Sequence, residues 1–108
     1  MNVGEKYREL LKVRKEIDEI DYDNDFIIKE MLEIMTTNID ETINYLKTNC
    51  TADEFVWLSE IFREIVEICP SQEFVDELYK LAEKYPEETK EYNVMSFIDE
   101  AAGYLEKE

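Results

Sequence analysis

From Thr51 to Cys69 the chain reads TADEFVWLSEIFREIVEIC, and apolar residues return every three or four positions along it. At 100° per residue, Phe55, Leu58, Ile61, Phe62, Ile65, Val66, Ile68 and Cys69 fill about half of a helical circumference. An arc that wide is more than a surface helix can bury, so the pattern predicts a central helix over 52–68 with other helices packed around it. Thr51 followed three residues later by Glu54 forms a capping box that opens this helix, and Pro70 closes it. Glu60, Arg63, Glu64 and Glu67 share the face opposite the apolar arc.

The rest of the chain repeats the same period. A first helix over 4–20 carries Tyr7, Leu10, Leu11, Ile17 and Ile20 on one stripe. Asp25 is a candidate N-cap for a second helix over 26–35, with Ile27, Ile28, Met31, Leu32 and Met35 in line. The run Thr36-Thr37-Asn38 breaks that pattern, and a short third helix over 40–47 follows. Ser71 caps a fifth helix over 72–84, with Phe74, Leu78 and Leu81 inward. Pro86 fits the first turn of a sixth over 86–105, where Ala101, Ala102 and Gly103 are small enough for a neighbouring helix to come close. Only two glycines and two prolines interrupt 108 residues, and nothing reads as strand. The expectation is all-α: a single domain over 1–108, about six helices packed as antiparallel helical hairpins through short links. EFVWL at 54–58 and EFVDEL at 73–78 echo each other and hint at a degenerate hairpin repeat.

Charge narrows the partners. The chain carries 28 acidic and 12 basic residues, a net of −16, spread unevenly. Residues 1–20 hold five acids and five bases, so the remaining 23 acids and 7 bases account for the whole excess. Phosphate is repelled by such a body, which argues against nucleic acid and against anionic membrane, whereas a basic protein is attracted. Solubility alone is the competing explanation of the charge. The N-terminal stretch MNVGEKYREL lacks the apolar run of a signal peptide, and the expected compartment is the cytoplasm. Cys50 and Cys69 are expected to be structural thiols there.

Catalytic chemistry finds little to stand on. The chain has no histidine, which removes the commonest general base and metal ligand. No glycine-rich phosphate loop and no CxxC pair is present. Carboxylates are so abundant that any pair of them arises by chance. The expectation is a non-enzyme without cofactor or catalytic residues. The motif DYDND at 21–25 has the alternate aspartates that open an EF-hand loop. That loop needs Gly at its sixth position and a bidentate Glu at its twelfth, and here those positions hold Phe26 and Leu32, so no metal is expected. The same aspartates surround Tyr22, and an aromatic inside an acidic patch suits a basic protein surface. Two candidate binding sets result: Asp21, Tyr22, Asp23 and Asp25, and, on the central helix, Trp57, Glu60, Glu64 and Glu67. Trp57 lies about 100° from the centre of its apolar arc, at home either as a core-edge residue or as an interface anchor. Tyr92 falls outside any clear stripe.

The segment FVWLSEIFREIVEICPSQEFVDELYKLAEKYPEETKEYNVMSFIDEAAGYL (55–105), above all LAEKYPEET at 81–89 and SFIDEAAGYL at 96–105, resembles the C-terminal half of small acidic helical immunity proteins. These belong to bacterial polymorphic-toxin systems of the contact-dependent growth-inhibition type. The likeness spans about half the chain and rests on packing and capping positions. It implies tight binding of one cognate toxin, often a basic nuclease such as an RNase, in the cytoplasm of the producing cell. It carries over no catalytic residue and no contact residue. The charge adds a mechanism: a nuclease presents a basic groove, and the function expected is blockade of that substrate-binding groove by acidic side chains. The alternative is a generic acidic helical interaction module, an adaptor or regulatory subunit.

Overall fold

A computed structural model of the chain describes residues 2–19 and 25–106. Among these residues there is no strand. The helices run α1 (Val3–Glu19), α2 (Asp25–Thr37), α3 (Ile39–Thr48), α4 (Ala52–Leu58), a 3₁₀ turn (Ser59–Ile61), α5 (Phe62–Ile68), α6 (Gln72–Lys84), α7 (Pro86–Glu91) and α8 (Val94–Glu106). The expected capping box is formed: Thr51 Oγ1 accepts from the Glu54 amide and Glu54 Oε1 accepts from the Thr51 amide. Ser71 caps α6 through the Phe74 amide, and Pro86 occupies the first turn of α7.

Two expected helices are each broken once. The helix expected over 52–68 tightens into 3₁₀ geometry at Ser59, whose hydroxyl donates back to the Val56 carbonyl and competes with the regular ladder. The tightened turn still sends Ile61 and Phe62 inward, so the apolar arc survives the break as far as Val66; beyond it Cys69 is half-buried and Ile68, expected on the same arc, is exposed at the helix end. The helix expected over 86–105 stops at Glu91 and restarts at Val94. Asn93 between them has φ 53°, the left-handed region that asparagine tolerates better than most residues. Boundaries also move. Helix α2 runs through both threonines, whose hydroxyls donate to the carbonyls of Leu32 and Glu33, so Asn38 alone makes the break and caps α3. Asp25 is the first residue of α2 and adds its charge to the first turn. Of the small residues expected to admit a neighbouring helix, Ala101 is fully buried and Ala102 packs against the core, whereas Gly103 takes no part and a further close approach occurs at Gly4. A Cβ on Gly103 would meet nothing within 4 Å, whereas one on Gly4 would come within 2.7 Å of the Tyr45 ring.

Helix α5 is central, as its wide arc requires: it packs most extensively on α8 and also against α2. Helix α6 lies against α8 and α3, and α1 against α2. Tyr7, Met35, Leu46, Phe55, Leu58, Phe62, Ile65, Phe74, Leu78 and Ile98 are fully buried in one core. Phe55 sits at its middle, with ring centroids 5.7 Å from Phe62 and 6.3 Å from Tyr85. The radius of gyration, 13.1 Å, is that of one globule of about 100 residues.

A buried polar network ties the neutral first helix to the acidic remainder. Glu54, already part of the cap, accepts from Tyr45 Oη at 2.6 Å and from Arg8 Nε at 2.7 Å. Tyr7 Oη donates to the Glu54 carbonyl oxygen, and Tyr85 Oη to that of Cys50. Burial raises the pKa of both Tyr7 and Tyr45, and pushes the Cys50 thiol up to about 12. Among the described residues no helix is long and apolar enough to cross a membrane.

Candidate functional site

Trp57 follows the core residue Phe55 by two positions on α4, so its ring faces sideways, half buried against the core edge. One part of it is covered by the chain's own cations. The Arg14 guanidinium lies 5.1 Å from the ring centroid and the Lys15 ammonium 5.7 Å. Both also pair with carboxylates near Trp57 in the chain: Arg14 with Glu60 of the 3₁₀ turn at 3.2 Å, Lys15 with Asp53 of α4 at 2.5 Å.

Beyond those cations Trp57 forms a wall of a groove of about 520 Å³ between α4 and α7. That volume lies within the range of ligand sites, roughly 300–1,000 Å³. Ala52, Val56, Trp57 and Tyr92 supply apolar surface, and Asp53, Glu60, Glu88 and Glu91 supply carboxylates. Tyr92 is 54% exposed, among the most exposed of the large apolar side chains. It stands outward because it ends α7 immediately before the left-handed Asn93, where the chain turns away to begin α8. Among the described residues, neither Glu88 nor Glu91 has an ion-pair partner, in contrast to Asp53 and Glu60.

The expected site residues on the central helix divide. Trp57 and Glu60 line this groove. Glu60 also borders a smaller cleft of about 100 Å³ that holds Glu64, Arg63, Phe97 and Glu100. Glu64 is committed there to Arg63 at 2.7 Å, and the carboxylate charge raises the pKa of that guanidinium. Glu67 also pairs with Arg63, at 3.4 Å. The structure therefore joins Glu60 to Trp57 and draws Glu64 and Glu67 toward an internal cation. Asp25 is exposed at the start of α2, which does not line the groove. Asp21, Tyr22 and Asp23 lie outside the described residues.

Asp53, Glu88, Glu91 and Tyr92 were absent from the expected set. Trp57 and Tyr92 lie 35 positions apart in the chain, and the packing of α7 on α4 brings them together. A signal was nonetheless present. Tyr92 had no place on an apolar stripe and stood next to Glu91, the aromatic-in-acid arrangement that drew attention to Tyr22.

Fold and groove together define a class: an all-helical, strongly acidic chain with an aromatic-walled cleft on its surface. Comparison with protein-family models, with curated proteins and with solved structures finds no match to this chain.

Proposed function

We propose that this chain is a cytoplasmic immunity protein that binds a cognate basic toxin domain, a nuclease, and neutralises it by occupying its substrate-binding groove with acidic side chains. One observation carries the reading: Glu88 and Glu91, two carboxylates without an ion-pair partner among the described residues, stand beside Tyr92 and Trp57 in a chain of net charge −16. A nuclease must attract a polyanion and so presents a cationic groove, to which such a surface is complementary. Steering by the net charge brings association toward about 10⁸–10⁹ M⁻¹s⁻¹ at low salt, fast enough to intercept a toxin on entry. Aromatic anchors then supply the desolvated contacts that hold the complex. The resemblance of residues 55–105 to immunity proteins points the same way.

The test is co-purification with the product of the gene immediately upstream, together with protection of cells expressing that product. A stable complex and restored growth are expected; neither complex nor protection would end the proposal. The apolar walls contributed by Ala52, Val56 and Trp57 favour a second reading, an adaptor whose charge serves solubility. Salt separates the two. Blockade by carboxylates predicts an association rate that falls about tenfold or more between 0.05 and 0.5 M NaCl, whereas apolar docking changes it by less than about twofold.

A further inference from the structure

We infer that the α4–α7 groove is an arginine-side-chain receptor: it takes a guanidinium presented by a protein partner, seated against Tyr92 and Trp57 and held by Glu88 and Glu91. The inference rests on the proposed cationic partner and specifies the chemistry of its contact. The chain already contains an internal example of the arrangement. Arg14 lies over Trp57 while pairing with Glu60, one guanidinium shared between an indole face and a carboxylate. Neither Arg14 nor Lys15 lines the groove, so the groove side of Trp57 is left to another group. That side repeats the same ingredients, with the exposed ring of Tyr92 and two carboxylates that no described cation neutralises.

Charge complementarity selects a cation, and the aromatic walls select the kind of cation. A guanidinium is planar, weakly hydrated and able to lie flat on a ring while its edge donates two hydrogen bonds to a carboxylate. An ammonium is compact and strongly hydrated, and loses more when pressed against Val56 and Trp57. The other cleft along this face does not compete, because Arg63 already occupies it with Glu64, Glu67 and Glu100.

Trp57 is the sole tryptophan of the chain, so tryptophan fluorescence comes from a residue in the groove wall. The experiment titrates the full chain with hexa-arginine, hexa-lysine and hexa-glutamate peptides at 0.15 M NaCl. Saturable change is expected with hexa-arginine, weaker binding by about fivefold or more with hexa-lysine, and none with hexa-glutamate. E88Q/E91Q should raise the hexa-arginine Kd by about tenfold, as loss of one hydrogen-bonded charge contact does. E30Q/E83Q, with the same change of net charge on α2 and α6, should leave it within about twofold. Circular dichroism of both variants confirms folding; neither pair makes an ion pair among the described residues. Equal loss in both variants, equal binding of the lysine and arginine peptides, or no saturable signal would each overturn the receptor. Selective arginine binding without toxin neutralisation would keep the receptor and remove the immunity reading. Neutralisation that E88Q/E91Q leaves untouched would do the reverse.

Discussion

Glu54 serves two structural ends. Its place three residues after Thr51 made the capping role legible from the sequence. Its contacts to Arg8 and Tyr45 were not, because those partners lie 46 and 9 positions away and meet only once α1, α3 and α4 have packed. The same packing buries Tyr7, Tyr45 and Cys50, whose protonated forms the fold favours. In the unfolded chain the thiol releases its proton near 9.0 and the phenols near 10.0, while the folded chain holds all three to higher pH. The stability these groups contribute is therefore complete below pH 9 and declines as pH rises past about 9 for the thiol and past about 10 for the phenols, approaching about 1.4 kcal/mol per pH unit for each group. Tyr45→Phe removes one of them. Urea unfolding at pH 9, 10 and 11 should show the variant's stability falling less steeply than the wild type's, by about that amount per unit. Parallel slopes would mean that Tyr45 is not held protonated by burial.

The existence, type and inward faces of the helices could be read from apolar spacing, and the caps at Thr51, Ser71 and Pro86 from residue type. The breaks at Ser59 and Asn93 could not, since neither position carries a glycine or proline; Ser59 lies within an uninterrupted apolar period, and residues 86–93 carry no apolar stripe whose interruption could mark a break. Both depend on a local competition that tertiary packing decides. At Asn93 the competition has a measurable consequence. Asn93→Ala places a Cβ residue without a helpful side chain at φ 53° and should cost about 1 kcal/mol, whereas Asn93→Gly should be neutral or stabilising. Thermal midpoints of the two variants decide it, and equal losses would contradict a left-handed link. The link shapes the groove because it separates α7 from α8 and leaves Tyr92 exposed beside Glu91. A continuous helix over 86–105 would have carried Tyr92 on its own period instead.

For the whole molecule, −16 on a body 37 × 30 × 26 Å across means that folding works against self-repulsion. Ion pairs such as Lys15–Asp53 and Arg14–Glu60 relieve it locally, but the acids outnumber the bases too far for pairing to suffice. Screening should therefore stabilise the fold. Raising NaCl from 0.02 to 0.2 M should lift the thermal midpoint by about 5 °C, the effect of roughly 1 kcal/mol in a chain of this length. A midpoint unmoved by salt would show that the charge is compensated within the fold.

An apolar period near 3.6 and scarce breakers dictate helices whatever their neighbours do, because both act within a turn or two of the chain. The sequence alone thus determined an all-helical chain with a central segment from Phe55 to Cys69, and an acidic surface. Which carboxylates stay unpaired, and which aromatics stand beside them, depended on segments tens of residues apart arriving side by side. Only the tertiary structure could place Tyr92, Glu88 and Glu91 opposite Trp57 while drawing Glu64 and Glu67 to Arg63, since through-space pairing has no period along the chain.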